Sequence, residues 1–488
     1  MILKRLMHWG LLFGVVMGVY GQTKPLLYDF TELPQSLLQN PGADSPIRWH
    51  VGVPFLSSIS LQAGVSGFAA QDLFANDGID FSTKVGNLVR NDLTQRDRIN
   101  IESHLEFFYA GFRSQKDPST YYSFGAYGDF QFVNYWPRDL ARLAFDGNGG
   151  AIGQRFDLED LKIRADGVVV FHAGISKKVS KKLRLGARAK IYSSIFQAQS
   201  TANSGYFVTT PGENNLLRNT LVADMQLQTS GLREIRDIFR DGVVDNNNQR
   251  LQELLLRRAF LGGDLGLGAD FGFTFYKNSE WRWSGSVLDL GFIYHNKDVL
   301  NYSLVGAASN EGVEFILPDA LLAPGDPWQN LVDEIEELVP FSENSDVYVT
   351  MRPVRVNVQV RRNWGEPRAK NNSEDCYCGA EAFESRDDFG YVNSYGGLLS
   401  WVHRPRGPQW SLSGFYQRRL GNALTLKTTL AVDQFQWINL GFGTQVQAGP
   451  VQFYVLADNL LGYQNLAASH SAYVQFGFNV LAWKPKKL

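Results

Sequence analysis

The feature that most constrains this chain is a period-two alternation of apolar and polar residues that recurs along most of its length. From Pro353 to Arg362, Val354, Val356, Val358 and Val360 alternate with Arg355, Asn357, Gln359 and Arg361. Leu183, Leu185, Ala187, Ala189 and Ile191 alternate with Arg184, Arg188 and Lys190. Tyr122, Phe124, Ala126, Phe130 and Phe132 oppose Ser123, Asp129 and Gln131, and Leu265 to Phe275 alternates with Gly266, Gly268, Asp270, Gly272 and Thr274. Near the end, Leu440, Phe442, Thr444 and Val446 oppose Gln445 and Gln447, then Val474, Phe476, Phe478 and Val480 oppose Gln475 and Asn479. Successive strand side chains point to opposite faces, so each segment predicts a two-faced strand. A soluble sandwich would turn a charged, Thr-rich face to water. Here the second face carries Gln, Asn, Gly, Ser and a few arginines, as the polar interior of a transmembrane barrel does, with the Phe/Val/Leu face toward lipid. Several segments also reach the roughly ten residues that a tilted membrane strand needs.

Beyond its first residues the chain has no apolar run of about 18 residues, so a spanning helix is excluded. A membrane protein of this kind must then be a closed barrel, because only helices and barrels satisfy every backbone group in lipid. The start reads as an export signal. Lys4 and Arg5 precede the apolar run Trp9 to Tyr20, and Val19-Tyr20-Gly21 offers a small-residue exit before Gln22. The run is short for an uncleaved anchor, and no cysteine follows it as a bacterial lipoprotein would require. The expectation is a signal peptide over 1–21 and a single outer-membrane β-barrel domain over 22–488. Net charge is -2 with a pI near 6.4, which gives no reason to expect nucleic acid as a partner. The 47 glycines, 33 phenylalanines, 20 tyrosines and 11 tryptophans suit tight turns and interfacial anchors.

Turn chemistry supports antiparallel neighbours. Gly449-Pro450, Gly421-Asn422-Ala423 and Lys277-Asn-Ser-Glu280 each separate two strands, and such short links alternate with longer ones. The last strand, Ser471 to Trp483, is expected to close on the first. Three stretches break the alternation. Asp326-Pro327-Trp328 starts a helix, with apolar Trp328, Leu331, Val332, Ile335, Leu338 and Val339 three and four apart, and Pro340 stops it. A second insert, Leu232 to Phe260, reads as two helices interrupted at Asp241 to Asn248, and a third helix is Arg138 to Phe145. Such helices pack on the rim, cap a mouth, plug the lumen or dock a partner. The docking candidates are Trp328, Leu331 and Ile335. Arg368 to Asp388 reads as a long exposed loop.

No chemistry-bearing motif stands out, so neither catalytic, cofactor nor metal residues are expected. Cys376-Tyr377-Cys378 supplies two thiols where a structural zinc site needs four ligands. Asp241 to Asn248 lacks the order of a calcium loop. The glycines of Gly266 to Gly272 lie inside a strand pattern and relieve crowding there rather than cradling a phosphate. A Ser/His hydrolase site in a barrel would leave little signature, and nothing singles one out. The functional pointers are the lumen-facing cations Arg184, Arg188, Lys190, Arg355 and Arg361. They either tune what enters, or pair with inward acids such as Asp129, Asp270 and Asp433 to fill a closed lumen.

Leu27-Tyr-Asp-Phe30 with Pro34 to Gly42, the segment His172 to Lys190, and Val451 to Asn459 resemble a Bacteroidetes family of exported barrels of unknown function. That family is distantly similar to FadL-type lipid transporters and to the PorV and PorP/SprF barrels of type IX secretion and gliding. The resemblance implies an outer-membrane barrel of roughly fourteen strands. It departs at Ile191-Tyr-Ser-Ser-Ile-Phe196 and in the insert Leu232 to Phe260. The leading functional expectation is a non-enzymatic component of a Bacteroidetes outer-membrane assembly, in contact with lipid and with other outer-membrane or periplasmic proteins. Its alternatives are a FadL-type transporter or pore for hydrophobic or small solutes, and a secreted soluble β-protein.

Overall fold

Side chains that alternate in the sequence alternate across one continuous sheet. The computed structural model describes residues 25–95, 97–213, 216–240, 247–311, 341–365, 391–421, 423–432 and 438–483. The first strands are β1 (Ile47–Gly52), β2 (Ile59–Val65), β3 (Arg98–Arg113), β4 (Thr120–Tyr135) and the short β5 (Arg155–Asp157). Next come β6 (Lys162–Lys178), β7 (Leu183–Pro211), β8 (Leu217–Ser230), β9 (Asp264–Tyr276) and β10 (Trp281–His295). They are followed by β11 (Asn301–Glu311), β12 (Phe341–Asn344), β13 (Tyr348–Met351), β14 (Arg355–Trp364) and β15 (Asn393–Arg404). The last are β16 (Gly407–Leu420), β17 (Leu424–Val432), β18 (Asn439–Ala448), β19 (Val451–Asp458) and β20 (Ser471–Trp483).

The wall runs β1/β2, β3, β4, β6, β7, β9, β10, β13/β14 and then β15 to β20, every neighbour antiparallel. The last strand pairs with the first, Val51 opposite Val480 and Leu61 opposite Val474. The result is a closed barrel with 14 wall positions. Closure leaves the wall itself without an unpaired edge. The faces are inverted relative to a soluble protein: on β9 Leu267 is 58% exposed on the outside while Asp270 is 0% exposed on the inside. Phe271, Leu185, Ile191, Val358 and Leu412 also face out, and Arg184, Thr274, Gln359, Ser413 and Gln475 face in. An apolar outer band of this kind is at ease only against hydrocarbon. Among the described residues no helix is long and apolar enough to cross a membrane.

Tight links at residues 114–119, 179–182, 277–280, 421–423 and 449–450 lie at the same end as the start of β1. Apart from residues 365–392, which join β14 to β15 at the tight-turn end, the longer connections crowd the opposite mouth. There β7, at 29 residues, outruns its wall neighbours and pairs with β8 and β5; β8 pairs in turn with β11, and β11 with β12, forming a projecting flap. The helices are α1 (Ser36–Gln39), α2 (Ala70–Phe74), α3 (Phe81–Asn87), α4 (Arg138–Asp146), α5 (Arg233–Arg240) and α6 (Asn247–Arg257). The predicted helix at Arg138 and the predicted pair between Leu232 and Phe260 are thus present. Leu88, Val89, Leu93 and Ala141 pack loop to loop at this mouth. The proposed signal peptide, the Trp328, Leu331 and Ile335 helix, Cys376, Cys378 and Asp433 lie outside the described residues.

One element departs from expectation. Residues 25–46 form no wall strand; they run through the barrel interior as successive turns around α1, and almost all of them are buried. Leu26, Leu27, Phe30 and Leu33 pack on Tyr454, Leu456 and Tyr473 of the wall. The main hydrophobic core is therefore inside the lumen, built on the N-terminal segment and not on the helical inserts.

Candidate functional site

A buried irregular segment must find partners for its backbone and side chains away from water. The inner wall supplies them. Asp29 accepts from Arg282 (2.6 Å), Gln359 (2.6 Å) and Arg361 (3.2 Å), and Arg361 also donates to the Asp29 carbonyl (3.0 Å). Glu32 accepts from Gln417 (3.0 Å) and from Arg419. The Gln35 amide donates to Asn479 (2.9 Å), Glu106 (3.2 Å) and the Ser57 carbonyl (3.1 Å). Asp44 pairs with Arg184 at 2.9 Å. Plug carbonyls are met by Lys427 on Tyr28 (2.6 Å), Gln452 on Glu32 (2.9 Å), Ser286 on Gln39 (2.7 Å) and Thr274 on Gly42 (2.9 Å). The plug is thus held by side chains from around the ring, with no ladder of its own.

All five predicted lumen cations do face inward, and the structure divides them. Arg184 and Arg361 hold plug carboxylates. Arg188 pairs with Asp270 at 2.9 Å and donates to the carbonyls of Leu37 and Leu38, holding the plug by its backbone. Lys190 sits between Asp270 (2.9 Å) and Asp289 (2.7 Å). Among the described residues Arg355 has one carboxylate within ion-pair distance, Glu102 at 3.7 Å. Pairing of inward charges with Asp270 follows the sequence reading; Asp129 instead takes His104, at 2.7 Å. The acids missed were Asp29, Glu32 and Asp44. Their signal was present: Asp29, Glu32 and Gln35 fall three apart in an apolar stretch that has no period of two, which is a packed turn structure and not a strand.

Above the plug, toward the long-loop mouth, lies a chamber of about 750 Å³ including the part open to solvent. Leu27, Leu38 and Gln39 of the plug line it, with Glu102, His104, Tyr127, Asp129, Lys190, Asp289, Arg352 and Arg355 from the wall. Its shape owes much to two adjacent irregularities. The β10 ladder slips between Val287 and Leu290, and Asp289 there has φ 61°. Its backbone N–H donates to Asp270 (2.7 Å), which fixes the bulge. The next wall position is interrupted between β13 and β14 at Pro353, which has no N–H to give a ladder. Bulges re-aim side chains, and here they send Asp289, Arg352 and Arg355 into one space.

On the mouth side, contacts span the lumen. Glu102 on β3 pairs with Arg404 on β15, half a turn away around the ring. Arg352 pairs with Asp166, and Arg98 donates to Gln409 at 3.1 Å. Below the plug, a second recess of about 270 Å³ including the part open to solvent, with enclosed room for only about one water, is lined by Arg282, Arg361, Gln417 and Arg419. Among the described residues no group of three or more His, Cys, Asp or Glu is placed to hold a metal ion.

The model of a family of unknown function (DUF5723) matches residues 41–458. No curated protein sequence matches the chain. Among solved structures, the toluene transporter TodX of Pseudomonas putida is similar at 8% identity, with 95% of each chain covered and a TM-score of 0.37. A Pseudomonas aeruginosa FadL homologue is similar at 9% identity, covering 95% of this chain and 99% of its own, with a TM-score of 0.40. The translocator domain of the autotransporter NalP from Neisseria meningitidis is similar at 7% identity over 88% of each chain, with a TM-score of 0.28.

Proposed function

The chain belongs to the DUF5723 family of unknown function, and we propose that this protein is a non-enzymatic outer-membrane barrel that passes small polar solutes when its N-terminal plug is displaced. It reaches the outer membrane of a Gram-negative cell after cleavage of the signal peptide near Gly21 and Gln22. The observation that carries the reading is that the lumen is closed by a segment held through side-chain pairs, with a polar chamber on one side and a small polar recess on the other. A barrel filled for stability alone needs no such chamber. The inner wall is lined by Gln, Asn, Ser and paired charges, which favours polar over hydrophobic cargo. The test is conductance and liposome swelling. The native protein should be nearly silent, and Asp29→Ala with Glu32→Ala should open it, because each change strands buried arginines. Breaking such buried pairs costs about 3–5 kcal/mol each. A variant lacking residues 25–44 that keeps heat-modifiable mobility yet passes nothing would overturn the reading. Neutralising Arg361 should likewise raise leakage, since that side chain holds the plug.

The β7–β8–β11–β12 flap favours a second reading, a component of a Bacteroidetes outer-membrane assembly that docks partners at the long-loop mouth. Stoichiometric partners should then co-purify from native membranes, and a lone monomer would count against it.

A further inference from the structure

The lumen's charges are mostly paired, and Arg355 is the exception among the five inward cations singled out above. Its side chain is 30% exposed to the chamber, and its one carboxylate contact, Glu102, lies at 3.7 Å, beyond hydrogen-bond length. Glu102 is already engaged by Arg404. The Arg355 Nε is buried with no acceptor among the described residues, as are those of Arg184, Arg188 and Arg352. Those three place their other guanidinium nitrogens on close carboxylates, and Arg355 does not. Carboxylate oxygen faces the same space from two walls. Asp129 is 30% exposed, and Asp289, held at positive φ by its bulge, is 17% exposed. Strained backbone at a polar cavity marks a position kept for what its side chain does.

The balance of charge selects the ligand class. The chamber is lined by three cations (Lys190, Arg352, Arg355) and three carboxylates (Glu102, Asp129, Asp289), so the formal sum is zero. A bare anion drawn to Arg355 would confront the carboxylates, and a bare cation would confront the guanidinium groups. A neutral sugar would leave the donors of Arg355 without a charged acceptor. A molecule carrying both charges satisfies both sets without unbalancing the cavity. From this we infer that the chamber is a binding site for a small zwitterion bearing a carboxylate and an ammonium group. Arg355 takes the carboxylate, Asp129 and Asp289 take the ammonium, and the aliphatic part rests on Leu27 and Leu38. Arg355 suits the role because its planar fork matches a carboxylate.

This assignment deepens the transport reading and takes its physiological meaning from it, but binding can be measured without flux. Titration calorimetry on the full-length protein in detergent would use glycine and 4-aminobutyrate, with acetate, methylammonium and glucose as controls. At least one zwitterion should bind and the three controls should not. Arg355→Gln should weaken that binding at least tenfold, and Arg355→Lys should recover part of it. Asp129→Asn, scored the same way, covers the case in which the arginine variant loses heat-modifiable mobility. Equal binding of acetate, an unchanged affinity in Arg355→Gln, or no zwitterion binding would each overturn the assignment. Binding that persists while the plug-released barrel passes no solute would sink the transport reading and leave the site standing. Flux without zwitterion binding would do the reverse.

Discussion

Asp117 shows at residue scale how this protein fixes its tight end. It sits in the turn between β3 and β4, where it accepts from the Ser119 hydroxyl (2.5 Å), the Thr120 hydroxyl (2.8 Å) and the Ser119 N–H (3.1 Å). These bonds, with Ser119 foremost and Thr120 next, hold its carboxyl well below the usual carboxylate range. A depressed pKa in the folded state means the contribution is complete above about pH 4 and is lost as pH falls through the lower folded value. Carboxyl NMR titration should therefore find Asp117 still ionised when exposed acids have protonated, and Asp117→Asn should abolish that step. Titration near the ordinary value would refute the assignment. The same economy of short-range bonds is absent at Asp29 and Glu32, whose partners lie more than 250 residues away in the chain. That distance is why these two acids could not be matched to their arginines from the sequence.

At the scale of elements, the close fit of plug to wall is set by glycine. A Cβ built on Gly186 of β7 would fall on the Pro41 carbonyl, and one on Gly272 of β9 would fall on the Asn40 side chain. Gly186→Val should lift the plug, giving faster hydrogen exchange over residues 25–46 and higher conductance in a barrel that still shows heat-modifiable mobility. Gly414→Ala, where the added carbon has ordinary 3.9 Å contact on the outer face, should change neither. The sequence reading assigned the glycines of β9 to relief of crowding, which holds at Gly268 under the Tyr192 ring and extends at Gly272 to the plug. Strands were legible because period two is a local signal that needs no partner. The closing strand, Ser471–Trp483, was readable to its ends for that reason. The plug was not, because its turns satisfy themselves on the wall and carry no period. The inward placement of Arg184, Arg188, Lys190, Arg355 and Arg361 was readable; which of them would be spent on the plug depended on strands brought together only by closure.

For the whole molecule, the inverted faces predict where water is absent. Trp283 and Trp410 stand outward, 47% and 41% exposed, and should be quenched strongly by brominated acyl chains in reconstituted vesicles. Quenching by aqueous acrylamide instead would mean that the outer face meets water. The wall itself has one seam at which the two ends of the chain meet, β20 against β1 and β2. Gln35 reaches that seam from inside, touching Asn479 on β20, Glu106 on β3 and the Ser57 carbonyl between β1 and β2. The segment that fills the pore therefore also bridges the seam: through Gln35 it touches β3, the β1–β2 link and the closing strand at once. A nascent barrel zipped one step out of register would misplace Asn479 and leave Gln35 without its partner. The residues that hold the plug in the pore thus include one whose partner, Asn479, is set by the register of the closing strand.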